Sequence, residues 1–202
     1  MFYYLIWWIC YFVFKILFRY QIFGKEHLPR EGPYIIAANH LSFLDPVALG
    51  LVTRKKLNFL AREDLFNNRI FALLIRSLGA IPLKREYQDI GALRQGIRIL
   101  KKNKILVVFP EGKRALNGEL GKPLLGVGFL AQQTKVKVVP VYLKGTDLAL
   151  PVGACFIRLK QISAWIGKPV EPDSHPVEKI VELLWERLRN LSGEAKNLKK
   201  WR

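Results

Sequence analysis

A chain of 202 residues, half of them hydrophobic and 24% charged, is neither disordered nor collagen-like, and it is long enough to bury the core of one ordinary domain. Lys and Arg number 33 against 16 acids, a formal net charge of +17, so its partners are polyanionic: nucleic acid, anionic lipid headgroups or phosphorylated substrates. Cys10 and Cys155, far apart and without companions, exclude a disulfide framework or a thiolate zinc site and point to a reducing compartment.

Met1 to Phe14 contains no charged side chain, and the first 23 residues hold 11 of the aromatic residues. Trp and Tyr favour the headgroup level of a bilayer, where an apolar ring meets a wet edge. Nucleic-acid arms lack this composition, and no nucleic-acid reading motif follows, so no nucleic-acid partner is expected. Lys15 and Arg19 come after the apolar run rather than before it, unlike a cleaved signal peptide, so the segment is expected to be retained. The run stops at fourteen residues, short of the ~20 a crossing helix needs. Residues 1–23 therefore read as a membrane-associating helical segment, inserted shallowly or re-entrantly, with Lys15 and Arg19 on one helical face snorkelling to water. The competing reading is a core helix of a soluble domain.

Residues 24–202 form the second unit, where short β-rich runs alternate with helical stretches. That alternation predicts an α/β fold: a mainly parallel sheet flanked by helices, preceded by the N-terminal helix. Expected strands are Tyr34 to Ala38, Leu57 to Ala61, Ala80 to Leu83, Ile105 to Phe109, Val138 to Leu143 and Phe156 to Ile166. Apolar spacing of three and four predicts helices over Phe66 to Leu78, Ile90 to Lys101 and Leu124 to Gln133, and Pro176 opens another over Val177 to Leu191. Pro82 and Pro140 fall inside strand-like runs, which places them at edges or bulges. His27 and His175 sit beside proline-containing turns and read as structural or exposed. The basic tail of Lys196, Lys199, Lys200 and Arg202 is either a solvated end or a lipid contact.

The strand ending at Ala38 runs into Asn39-His40-Leu41-Ser42-Phe43-Leu44-Asp45, so a histidine leaves the carboxyl end of a buried strand, the edge where open α/β sheets place ligands. Five positions is not a helical spacing, so Asp45 meets His40 only across a turn. A carboxylate there fixes the imidazole tautomer and leaves the other nitrogen as a general base. Alternatively, His40 caps a turn and Asp45 merely begins a helix. Farther along, Gly112 after a strand end permits backbone amides to approach an anion, and Lys113 and Arg114 add positive charge.

Four segments in order resemble the glycerolipid acyltransferases of the PlsC type. Asn39-His40 with Asp45 resembles the first family block. Gly79-Ala80-Ile81-Pro82-Leu83-Lys84-Arg85 resembles the second, Phe109-Pro110-Glu111-Gly112-Lys113-Arg114-Ala115 the third, and Val138-Val139-Pro140-Val141-Tyr142 the fourth. Lys113 stands where the family usually has Thr, and Ala115 where it usually has Ser. The resemblance covers residues 24 to about 170.

It implies a membrane acyltransferase of phospholipid synthesis that moves a fatty acyl group from acyl-CoA or acyl carrier protein to the free hydroxyl of 1-acyl-glycerol 3-phosphate (lysophosphatidic acid), with no metal and no cofactor beyond that co-substrate. By the same resemblance His40 and Asp45 are catalytic, and Arg85, Glu111, Gly112, Lys113 and Arg114 bind substrate. The two arginines are expected to hold the acceptor phosphate; Glu111 orients one of these bases or binds a substrate hydroxyl. Glycerol 3-phosphate or another lysolipid is an alternative acceptor, and a non-catalytic basic module that docks on membranes is the alternative of a different class. The expected place is the cytoplasmic face of the inner (plasma) membrane.

Overall fold

Ile35–Ala38, Ile105–Val108 and Val138–Lys144 are short, almost wholly buried apolar runs rich in β-branched residues, as a parallel sheet covered by helices requires. The computed structural model describes residues 2–83, 90–115, 118–172 and 175–197. In chain order they form α1 (Phe2–Leu17), β1 (Gln21–Phe23), β2 (Ile35–Ala38), α2 (Asp45–Gly50), β3 (Leu57–Arg62), α3 (Arg69–Ser77), β4 (Ala80–Leu83), α4 (Ile90–Lys101) and β5 (Ile105–Val108). Then come α5 (Gly126–Thr134), β6 (Val138–Lys144), α6 (Thr146–Ala149), β7 (Ser163–Ile166) and α7 (Val177–Asn197).

The seven strands lie in the order β1-β7-β6-β2-β5-β3-β4. β6, β2, β5, β3 and β4 are parallel, while β7 runs antiparallel to β6 and parallel to β1. The fold is thus the mainly parallel, helix-flanked α/β sheet read from the sequence. Side chains alternate between two layers with the strand period of two. Ile36 and Ala38 of β2 face the layer that holds α1, α2 and α6, whereas Ile35 and Ala37 face α4, α5 and α7.

α1 packs as one face of an amphipathic arrangement. Trp7, Phe14 and, just past its end, Phe18 are buried against the sheet, and the Trp7 indole N–H is shared between the carbonyls of Gly50 (2.9 Å) and Thr53 (3.0 Å). Its other face leaves Tyr4, Leu5, Trp8, Ile9, Phe12 and Val13 exposed. The helix ends at Leu17, short of the 1–23 segment read as helical, because Arg19 takes a left-handed φ of 46° and Gln21–Phe23 joins the sheet beside β7. Lys15 and Arg19 consequently do not share a helical face. Among the described residues no helix is long and apolar enough to cross a membrane.

The last expected strand is also shorter: only Ser163–Ile166 pairs, and the residues from Phe156 to Gln161 stay outside the sheet. Pro82 lies on the edge strand β4. Pro140 is in the interior strand β6, but at a register slip: Val141 pairs with Ile166 while Val138 pairs with Val170, so the partner segment carries one extra residue and no ladder bond is asked of the missing N–H.

If α1 is an integral part of the core, Trp7→Ala should destabilise the fold by about 3–5 kcal/mol, the usual cost of truncating a buried Trp. Urea unfolding of the two proteins checks this; a loss below ~1 kcal/mol would mean that α1 merely rests on the surface.

Candidate active site

β2 lies between β5 and β6, whose connection by α5 crosses it, so the carboxyl end of β2 opens where chain connections pass to both sides. Asn39 fixes that end. Its side chain is buried, donating to Leu143 O (2.9 Å) and accepting from Leu143 N (2.7 Å), and so extends the β2–β6 contact one residue beyond the ladder.

The next residue is His40, and the chain turns at once. Asp45 is 0% exposed, and its Oδ2 accepts three N–H groups: Leu41 N at 2.6 Å, Ser42 N at 2.8 Å and His40 Nδ1 at 2.8 Å. A buried carboxylate needs such donors. Asp45 also opens α2, with Pro46 in the first turn, so the carboxylate both starts a helix and reaches back to the histidine. The His40 ring stacks on Phe109 with centroids 4.0 Å apart and planes at 17°. With Nδ1–H given to Asp45, the neutral ring keeps its lone pair on Nε2, and the side chain is 21% exposed.

The loop after β5 is fastened to the same residue. Ala115 N donates to His40 O at 2.8 Å, while the Glu111 carboxylate accepts from Gly121 N (2.9 Å) at one oxygen and contacts His40 N (3.4 Å) with the other. Burial pushes the Glu111 carboxyl above the usual range; the N–H groups of Gly121 and His40, and the His40 ring, act in the opposite sense, while the nearby Asp45 adds to the rise. Gly121 is required by this approach, since a Cβ there would stand 2.9 Å from Glu111 Oε2. Gly112 turns at a left-handed φ of 69° and spends its N–H on Phe109 O (3.0 Å), and the Ala115 N–H is spent on His40. Two of the amides expected to approach an anion are therefore engaged inside the protein, which leaves the side chains of Lys113 and Arg114 to supply charge. Lys113 is exposed.

Arg114 is more confined. Its guanidinium lies 3.9 Å above the Phe43 ring, and Nη1 is buried with no hydrogen-bond partner among the described residues. A desolvated guanidinium N–H without an acceptor is costly, and an anionic ligand would satisfy it. Arg85 and Lys84 lie outside the described residues; β4, which precedes them, is the third strand from β2, ~14 Å away at ordinary strand spacing.

Sequence reasoning gives no role to Asn39, Ser42, Phe43 or Phe109, which the structure places around His40 and Arg114. A polar residue directly after a fully buried strand is the one signal that marks Asn39. His27, as expected, is structural: its Nδ1 meets Ile166 O at 2.8 Å. Among the described residues no three His, Cys, Asp or Glu side chains converge as a metal site.

The chain is similar to known proteins over most of its length. The family model described as Acyltransferase matches residues 19–144, a stretch that includes His40, Asp45, Glu111 and Arg114. The 1-acyl-sn-glycerol-3-phosphate acyltransferase of Streptococcus pneumoniae (strain ATCC BAA-255 / R6) is 34% identical over 139 positions, covering 64% of this chain and 51% of that protein. The protein of that name from Bacillus subtilis (strain 168) is 24% identical over 186 positions, covering 88% and 90%. The chain thus spans about half the length of the Streptococcus relative and nine-tenths of the Bacillus one. The crystal structure of the 1-acyl-sn-glycerophosphate (LPA) acyltransferase, PlsC, from Thermotoga maritima aligns with a TM-score of 0.77 at 26% identity, covering 93% of this chain and 80% of that one.

The raised Glu111 carboxyl makes a pH prediction. The fold favours its protonated form, so its contribution to stability is fullest below the ordinary glutamate value of ~4.3 and is lost as pH rises through the higher folded value. Glu111→Gln does not titrate there. Thermal midpoints measured from about pH 4 upward should shift in favour of the variant, relative to the parent, as pH rises; a pH-independent difference would mean that the carboxyl is not desolvated.

Proposed function

This chain belongs to the acyltransferase family, and on that premise we propose that it transfers a fatty acyl group from an acyl thioester to the free hydroxyl of 1-acyl-glycerol 3-phosphate, giving phosphatidic acid. The observation that carries the reading is the 2.8 Å contact of His40 Nδ1 with a fully buried Asp45, which leaves Nε2 as the basic nitrogen at the carboxyl edge of the sheet. The names of the Streptococcus, Bacillus and Thermotoga relatives support the choice of acceptor.

A lipid hydroxyl is a weak nucleophile. Nε2 of His40 takes its proton as the oxygen attacks the thioester carbonyl, and Asp45 stabilises the imidazolium that results. The tetrahedral adduct collapses with loss of the thiolate, which takes the proton from the imidazolium. Ester and free thiol leave, and His40 is neutral again. The Nη1 group of Arg114 is the donor best placed to hold the acceptor phosphate, with Lys113 adding charge at the turn of Gly112. Arg85 is the proposed second phosphate ligand, by resemblance alone. Glu111 holds the two loops together and so positions His40. The donor is acyl-CoA or acyl carrier protein.

The site works at a membrane in this reading. α1 lies in the interfacial plane, one face on the sheet and the other in lipid, with cations at both ends. The Arg54 guanidinium sits 5.5 Å from the Trp8 ring centroid and Lys56 Nζ 5.9 Å from that of Tyr3, while Lys15 and Arg19 are exposed at the far end. Such charge suits the anionic cytoplasmic leaflet, where the thioester donors also are.

Release of free thiol from acyl-CoA in the presence of lysophosphatidic acid tests the assignment. His40→Ala should lose ~10²–10⁴-fold in rate or more while remaining folded, and Asp45→Asn should be severely impaired. Near-parental turnover by a folded His40→Ala protein would end the mechanism. Arg114→Ala should raise the acceptor KM roughly ten- to a hundredfold with little change for the donor, and Arg114→Lys should restore part of it. Equal use of glycerol 3-phosphate in the same assay would reassign the acceptor.

A further inference from the structure

Between α6 and β7 the chain carries apolar side chains that the core does not use. Phe156, Ile157 and Leu159 are exposed, Phe156 at 83%, as are Leu148 and Val152 before them, and the exposed cations Arg158 and Lys160 are interleaved. Alternation of this kind reads as a strand, yet the stretch is outside the sheet. Arg158 N donates instead to Ala149 O at 2.7 Å, which closes the base of a loop.

Both ends of the loop are pinned. Ser42 Oγ, two residues from His40, donates to Leu150 O at 2.7 Å. At the other end Ile162 N donates to Phe18 O at 3.0 Å and Gln161 Nε2 to Gln21 Oε1 at 3.2 Å, at the exit of α1. The loop therefore runs along the carboxyl edge of the sheet from the His40 turn to the end of α1, where Ile16, 70% exposed, and Leu17 continue the outer apolar face of that helix. Several large apolar side chains left exposed along one edge of a folded chain mark an interaction site.

We propose that residues 148–160 form a second lipid-contacting surface, in which Phe156, Ile157 and Leu159 enter an anionic bilayer while Arg158 and Lys160 meet its headgroups; this rests on the membrane reading of α1. Two features select lipid as the occupant. The loop is pinned at the exit of α1, whose outer face is likewise apolar, and the charges interleaved in residues 148–160 are positive. With α1 it gives the domain a second point of contact, which sets the tilt of the catalytic edge against the bilayer. An acceptor lipid then reaches His40 without leaving the interface.

Cys155, exposed at the start of this run, offers a native reporter. The full chain carrying Cys10→Ala is labelled at Cys155 with an environment-sensitive nitrobenzoxadiazole dye and mixed with vesicles of phosphatidylglycerol and phosphatidylcholine. Its emission should shift to the blue as the protein co-floats with the vesicles. In the unlabelled chain, Phe156→Asp with Leu159→Asp should weaken vesicle binding at least about tenfold, given the apolar area withdrawn from lipid. Thiol release with a short-chain, water-soluble lysophosphatidic acid should be unchanged. A dye that stays in water while the protein floats would overturn the proposal and leave α1 as the membrane contact. Failure to float at all would overturn both membrane readings, with the acyltransferase reading still judged by the soluble assay. Parental vesicle binding by the double variant, combined with impaired use of an acidic carrier-protein donor, would reassign the loop to donor docking.

Discussion

One oxygen of Asp45 organises the site. It gathers two backbone N–H groups and the His40 imidazole N–H within 2.8 Å, in a position with no exposure to water. The backbone donors fold the chain into the turn, and the turn in turn aims His40 out of the end of β2. The same contacts fix which ring nitrogen carries the proton. Remove the carboxylate, and the Leu41 and Ser42 N–H groups are left buried without this acceptor, so the turn and the base fail together. That coupling explains why a His and an Asp five residues apart act as one unit here, although no regular element would bring them together.

Around this turn the neighbouring segments are tied by few, specific contacts. Asn39 joins β2 to β6, Glu111 and the Ala115 N–H join the loop after β5 to the His40 backbone, and Ser42 joins the turn to the loop after α6. Phe109 and Phe43 add flat surfaces, one beneath the imidazole and one beneath the Arg114 guanidinium. The imidazole and the guanidinium are thus each oriented by an aromatic ring, which restricts rotation without consuming hydrogen-bonding capacity. In the proposed mechanism such pre-orientation lowers the cost of bringing a diffusing lipid hydroxyl to His40. The face that holds α1 and the edge that holds His40 meet at the exit of that helix, which in the proposed reading sets lipid contact beside acyl transfer.

Much of this was legible in the sequence, for identifiable reasons. β2 and β5 are unbroken apolar runs, and the starts of β3, β4, β5 and β6 fall where the composition changes. The non-helical spacing of His40 and Asp45 already required a turn. What escaped was set by distant partners or by short length. β1 is three residues long and exists because β7, about 140 positions away, offers an edge. α2 and α6 have six and four residues, too few to show a helical period. Phe156 to Lys160 alternates like a strand, but apolar alternation says only that one side is to be covered, not by what. The role of Asn39 depends on Leu143, 104 residues on, and the packing of Arg114 on Phe43 has no sequence signature at all.

In the proposed mechanism Asp45 holds the neutral His40 ring with its proton on Nδ1 and its lone pair on Nε2. Two-dimensional ¹⁵N–¹H spectra of the imidazole rings, with His40 assigned by its loss in His40→Ala, read the tautomer directly. The account predicts a protonated Nδ1 and an unprotonated Nε2 for neutral His40, and loss of that preference in Asp45→Asn. A His40 ring protonated on Nε2 in the parent protein would contradict it, since the nitrogen assigned as the base would then have no lone pair to accept the hydroxyl proton.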